Sequence, residues 1–270
     1  MPPMEKRRFA ALKNAKEVAC ATSFLKEIMK HIEHYTVRWH DTNAALEMRP
    51  SALLALMQET SNMQFVVSGR SLDEIRESQG VGFILSRIAF DILRPLGPFE
   101  KIRVETFTCE GHGFTYPRGF AVYCGKEPVA RCHSLWALVR VADKSLVRCA
   151  DFPLAFENEP EQVTEAPLRF RAPREAVFRE VGTRQIVYGD LDYNMHMNNT
   201  KYPDMVCDFL PDPAHCRVVG MSLAYTREAA FGDTVTVERA EGEGGVYYFR
   251  TKKGDAVCLE AMVRTEKRED

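Results

Sequence analysis

The chain has 270 residues, 45% of them hydrophobic and 27% charged, and 36 Lys and Arg stand against 38 Asp and Glu for a net charge of −2. That apolar share can build one large or two small cores and predicts a globular protein, while the charge balance sets up no overall field toward nucleic acid or anionic lipid. No apolar run approaches the roughly 18 residues of a membrane span, and the eight cysteines show no CxxC spacing and no secretory leader, which predicts reduced thiols in a cytoplasmic protein.

Residues 1–33 read as an N-terminal extension. Leu12, Ala15, Val18, Leu25, Ile28, Met29 and Ile32 are spaced as on an amphipathic helix, and Glu5, Glu17 and Glu27 argue against a transit sequence. The segment is either a helical cover for the main body or an extension upstream of a start at Met29. From residue 34 one plan runs twice, over 34–149 and again over 181–270. The first copy opens with a strand, Thr36 to Asp41, then a polar turn and a helix from Pro50 to about Val67. Pro50 suits a first helical turn, and Leu53, Leu56, Met57 and Met63 share a face. Several β-rich segments with Gly and Pro turns follow. Residues 150–180, with Pro153, Pro160, Pro167 and Pro173, read as a linker. The second copy repeats the order with a strand from Arg184 to Asp190, a shorter helix from about Asn199 to Leu210, and further strands. Lys101–Gly111 overlays on Thr234–Gly244, and Ala121–Val139 on Tyr247–Thr265. The fold class is therefore α+β, each half a curled antiparallel sheet with a helix packed across it.

The segment DLDYNMHMNN, Asp190 to Asn199, gathers carboxylates, carboxamides and an imidazole just before the second helix. Hydrolysis of an ester or thioester needs a base, a group that holds it and donors for the carbonyl oxygen. A solvated turn is the plain alternative. A calcium loop would use Asp190, Asp192 and Asn194 but needs Gly and Glu where Met195 and Lys201 stand, and His196 has no second zinc ligand at a suitable spacing. Overlaying Asp41 on Asp190 puts Asn43, Ala45 and Glu47 at Asp192, Asn194 and His196, so the first copy lacks the set.

Together these features resemble the acyl-acyl carrier protein (acyl-ACP) thioesterases of plants and bacteria, a tandem pair of hot-dog domains. Their DxNxHxNNxxY pattern appears here as Asp192, Asn194, His196, Asn198, Asn199 and Tyr202, and their Tyr followed shortly by Arg-Glu-Cys appears as Tyr225, Arg227, Glu228 and Ala229. The chain departs from the pattern at Ala229, which removes a cysteine nucleophile, and at Met205, where a Trp is usual.

The resemblance implies hydrolysis of a fatty acyl thioester with acyl carrier protein as partner and with no metal or cofactor. Catalysis falls to Asp192, which would attack or orient water, His196 as proton acceptor, Glu228 as its positioning carboxylate and Asn194 as an orienting group. Asn198, Asn199 and Thr200 would support the oxyanion, with helix capping as the plain role for the two asparagines. Leu53, Met57, Phe83 and Trp136 are candidates for the acyl tunnel or, more plainly, for core. Arg169, Arg171, Arg174 and Arg179 offer a basic rim for an acidic carrier protein. Monomer and homodimer are both open. Rival readings are an acyl-coenzyme A thioesterase, an enoyl-thioester hydratase and an acyl-binding protein without catalysis. Ser222 in a half-formed nucleophile elbow is set aside, because no His follows it.

Overall fold

The computed structural model describes residues 30–161 and 163–268. The helical reading of residues 1–29 lies outside them. Lys30 to Glu33 are already part of a strand, β1 (Lys30–Thr36).

In chain order β1 is followed by the helices α1 (Pro50–Val67) and α2 (Leu72–Gln79) and the strands β2 (Val81–Ile92), β3 (Lys101–Thr108), β4 (Thr115–Cys124), β5 (Glu127–Arg140) and the short β6 (Leu146–Val147). The second half has β7 (Arg179–Gln185), α3 (Tyr202–Asp208), β8 (Cys216–Tyr225), β9 (Thr234–Glu241), β10 (Val246–Lys253) and β11 (Ala256–Lys267). The strands form one sheet in the order β1-β3-β4-β5-β2-β8-β11-β10-β9-β7, with β6 beside β5. Read inward from either edge the connectivity is the same, and the halves meet where β2 pairs with β8, from Arg87 opposite Ala224 to Asp91 opposite Gly220.

Helix α1 forms where the spacing predicts it. Pro50 occupies the first turn, where its missing N–H costs nothing, and no side chain of its own segment caps it. The cap comes from the other half: Asp204 on α3 accepts from the Ser51 N–H and hydroxyl, and Arg49 sits 3.5 Å from the same carboxylate. Leu53, Leu54 and Met57 on α1 pack with Phe90, Phe120, Met205, Leu223 and Phe249 in one core that spans both halves. Because it contains residues of α3 and β8 as well as α1, the halves stabilise each other through shared burial.

Three sequence expectations shift. The strands expected at Thr36–Asp41 and Arg184–Asp190 end early, at Thr36 and Gln185, and each continues into a short 3-10 turn, Trp39–Asp41 and Tyr188–Asp190. Arg38 pairs with Asp41 at 2.7 Å and Arg184 with Asp190 at 2.6 Å, folding the chain back where the pattern read as extended. The helix expected over Asn199–Leu210 is a 3-10 turn, Asn199–Lys201, followed by only seven α-helical residues. The overlay of Ala121–Val139 on Tyr247–Thr265 is out of register by three residues, since the tight β4–β5 and β10–β11 hairpins pair Cys124 with Glu127 and Lys253 with Ala256.

Helix α2 falls in a stretch for which sequence reading had no helix. Its signals are a capping box in which Ser71 and Glu74 satisfy each other's backbone N–H and Gly80 in a left-handed C-cap with φ 64°. Between the halves, the described residues of 152–178 hold no long element but are tied down. Asp91, 2% exposed, accepts from the Glu165 and Ala166 N–H groups at 2.6 and 2.9 Å, and the Tyr116 hydroxyl donates to the Phe152 carbonyl at 3.0 Å.

Candidate active site

The segment from Asp190 to Asn198 is a tight loop closed by its own backbone. The Asp192 N–H donates to the His196 carbonyl at 2.8 Å, and the Asn198 N–H to Asp190 at 2.8 Å. Asp192 Oδ1 accepts from the Asn194 and His196 N–H groups at 2.8 and 3.4 Å. Met195 sits at the apex with φ 63°, a strained conformation for a long side chain. A sharp turn thus exists without glycine, and Lys201 is what still argues against a calcium loop. Among the described residues no three His, Cys, Asp or Glu are grouped to hold a metal.

The loop from Asp41 to Arg49 repeats this construction bond for bond. Asn43 Oδ1 accepts from the Ala45 and Glu47 N–H groups at 2.9 and 3.1 Å, the Asn43 N–H donates to Glu47 O, the Arg49 N–H to Asp41 O, and Leu46 has φ 58°. Holding the loop is therefore a job that Asn43 does as well as Asp192. The groups particular to the second loop are the free charge of Asp192, the imidazole of His196 and the carboxamide of Asn194.

Each loop faces the opposite half. Asp192, Asn194, His196, Asn198 and Asn199 line a groove of about 790 Å³ together with Tyr225 to Glu228, and its remaining walls come from α1, α2 and the strands of the first half. Asn43, Ala45 and Glu47 line a second cleft of about 1060 Å³ against β8 and β11. There Glu47, at the place of His196, is paired with Arg268 at 2.8 Å.

In the first groove His196 Nδ1 lies 3.4 Å from Glu228 Oε2, the histidine mostly covered and the glutamate exposed. The Met197 N–H donates to the Ala229 carbonyl and His196 bridges Ala230, so backbone pairing sets the imidazole beside the segment that carries Glu228. Ala229 is fully buried and supplies no nucleophile. The Asn194 side chain does not hold Asp192 or His196. Its Oδ1 accepts from Arg76 on α2 at 2.9 Å, and Arg76 also donates to the Tyr193 hydroxyl at 3.2 Å. Asn194 orients Asp192 through its backbone N–H instead.

The oxyanion group divides likewise. Asn198 is a cap: its Oδ1 accepts from the Thr200 N–H and hydroxyl at 2.9 and 2.8 Å, and its carbonyl from the Lys201 N–H. Thr200 is buried with both donors committed. Asn199 remains, its carbonyl fixed by the Tyr225 hydroxyl at 2.9 Å. Tyr225 is partly buried and packs edge to face on Tyr202, and burial raises the phenol pKa of both.

Of the acyl-tunnel candidates, Phe83 and Trp136 line the groove. Phe83 stacks edge to face on Tyr116 at 5.4 Å, and Trp136 Nε1 donates to Ser134 at 2.9 Å. Leu53 and Met57, 2% and 0% exposed, are packed in the shared core away from the groove, because they lie on the α1 face turned to the sheet interior. The cations on the groove wall are Arg76, Arg118, Lys144 and Arg227 rather than Arg169, Arg171, Arg174 or Arg179. Sequence reading missed Arg76 together with its helix; the capping box at Ser71 was the available signal.

Two curled antiparallel halves, each with a helix, make a tandem hot-dog whose groove brings Asp192, His196 and Glu228 together. Residues 29–152 match the family model of the acyl-ACP thioesterase N-terminal domain and residues 177–263 that of the C-terminal domain; the chain belongs to the acyl-ACP thioesterases. Its fold is shared with an acyl-ACP thioesterase from Bacteroides thetaiotaomicron (TM-score 0.79, 19% identity, covering 88% of this chain and 98% of that one). It is shared also with the 12:0-ACP thioesterase from Umbellularia californica (TM-score 0.75, 18% identity, 88% and 98%). No curated protein sequence matches the chain.

Proposed function

We propose that the chain releases free fatty acid from acyl-ACP by hydrolysis, with Asp192, His196 and Glu228 as the reacting set. Family membership makes it a thioester hydrolase. The observation that carries the site assignment is the pairing of His196 Nδ1 with Glu228 in the one loop of the two that has an imidazole.

In this reading Glu228 accepts the Nδ1 proton of His196 and leaves Nε2 to take a proton from water; the 3.4 Å separation is of the kind that tightens when substrate excludes solvent. Asp192, held by two backbone N–H groups through Oδ1, orients the water with Oδ2. The water oxygen bonds to the carbonyl carbon, the Asn199 N–H or carboxamide meets the developing oxyanion, the C–S bond breaks, and the proton on His196 passes to the departing thiolate. Asn194, held by Arg76, keeps the apex of the loop in place. The domain partition that goes with this is 34–149 for the tail-binding half, 150–180 for the linker and 181–270 for the catalytic half, with β1 and β7 carrying the two halves back to Lys30 and Arg179. The site is complete within one chain, so monomer and homodimer serve equally. No described helix is long and apolar enough to cross a membrane, and a cytoplasmic setting suits the free thiols of every described cysteine.

The test is thiol release from acyl-ACP and matching acyl-coenzyme A esters by wild type and Asp192→Asn. Turnover should fall by about 10² to 10⁴ in the variant, the usual worth of general-base assistance, with thermal stability kept because an asparagine already holds the sister loop. Turnover by Asp192→Asn at the wild-type rate would remove Asp192 from the mechanism. Arg76, Lys144 and Arg227 line the groove, and an acidic carrier should feel those nearest its mouth. Lys144→Glu should raise KM for carrier-protein esters, with less change for coenzyme A esters and less difference at high salt.

A further inference from the structure

The groove contains a charge that the chemistry above does not use. Arg118 on β4 is 5% exposed and lines the groove wall. It shares a face of β4 with Phe120 and Val122, both core residues, so its guanidinium lies between the sheet and α1. Nη1 donates to Gln64 Oε1 at 2.6 Å and to Thr106 Oγ1 at 2.9 Å, and both acceptors are neutral. The Phe65 and Phe156 rings lie 5.6 and 6.0 Å from the guanidinium carbon. Burial lowers its pKa to about 10, which leaves it charged at neutral pH. Of five N–H donors, those on Nε and Nη2 have no acceptor among the described residues.

The position gives this charge a use. Strands run in the order β8, β2, β5, β4, so Arg118 stands three strand spacings, about 14 Å, from the strand that leads into Glu228. Leu85, Phe83, Trp136 and Tyr116 line the groove with it. An acyl chain whose thioester lies at His196 would run along those side chains toward Arg118. A methyl terminus arriving there strips water from an ion and returns no hydrogen bond, whereas an oxygen restores one.

We propose, building on the thioesterase reading, that Arg118 reads the far end of the acyl group and that the groove favours chains ending in an oxygen acceptor over hydrocarbon chains of equal length. The substrate class is an acyl thioester with a hydroxyl, oxo or carboxylate oxygen at its tail.

The experiment compares thiol release from carrier-protein esters of plain and ω-hydroxy fatty acids across a length series, for wild type, Arg118→Met and Arg118→Lys. Wild type should favour the ω-hydroxy ester by roughly 10- to 100-fold in kcat/KM, the span of one hydrogen bond to a charged group, at lengths that reach Arg118 and not at shorter ones. Arg118→Met should lose the preference, and Arg118→Lys should keep part of it. Absence of the preference at every length in wild type, or its survival in Arg118→Met, overturns the proposal. Calorimetric binding of the free plain and ω-hydroxy acids to the same proteins needs no turnover. It decides the role of Arg118 even where wild type hydrolyses no thioester, which would be the failure of the parent reading alone. Should Arg118→Met not fold, the wild-type and Arg118→Lys comparison carries the test.

Discussion

Asp192 and Asn43 make the same two hydrogen bonds in twin loops, which separates what a residue does for the fold from what it does for chemistry. The sequence motif named Asp192, His196 and Glu228, and the groove holds all of them; it could not show that Asn198 and Thr200 satisfy one another, since capping and substrate binding call for the same side chains. A second pair of equivalent residues bears on stability in acid. Glu100 accepts the Gly97 N–H and Asp233 the Ala230 N–H, each beneath its loop. The bond from Arg94 holds the Glu100 carboxyl below its usual range, and the bond from Lys253 does the same for Asp233. A depressed folded pKa adds stability that is full above the unfolded value and fades as pH falls through the folded one. Urea midpoints of wild type and Glu100→Gln should therefore differ above about pH 5 and converge on further acidification.

At the level of elements, α1 was legible from Leu53 and Met57 in its first turns and a proline at the start, while its buried side continues through the polar Thr60, Ser61 and Gln64. Helix α2, with Ile75 as its buried anchor, offered little periodicity to read, and its evidence lay in its caps. The strand ends were misplaced because an arginine and an aspartate that pair in space look, in sequence, like ordinary polar alternation. The segment between the halves read as a plain linker, yet Asp91 fastens it to β2. Asp91→Ala leaves the Glu165 and Ala166 N–H groups without their acceptor and should cost about 2 to 4 kcal/mol. Urea denaturation measures the loss, and limited proteolysis should show faster cleavage between residues 152 and 178 in the variant.

The whole molecule follows from one repeat. Its two-copy plan was visible in the order of elements, whereas the crossing of each loop onto the other half's groove was not, because that depends on the β2–β8 junction and no residue pattern announces which edges will join. The same junction explains why a short α3 suffices: its Asp204 caps α1, so the smaller helix is held by the larger one's needs as well as its own packing.

The ion pair of Glu47 with Arg268 has a consequence for how such a chain can change over time. In a doubled molecule with crossed sites, either loop can abandon its reaction without disturbing the scaffold, because the backbone bonds that shape the loop are indifferent to the lost imidazole. In the second cleft the chain's own charges meet, and a carboxylate at the histidine position ties residue 47 to residue 268. That cleft is a clasp between distant parts of the polypeptide.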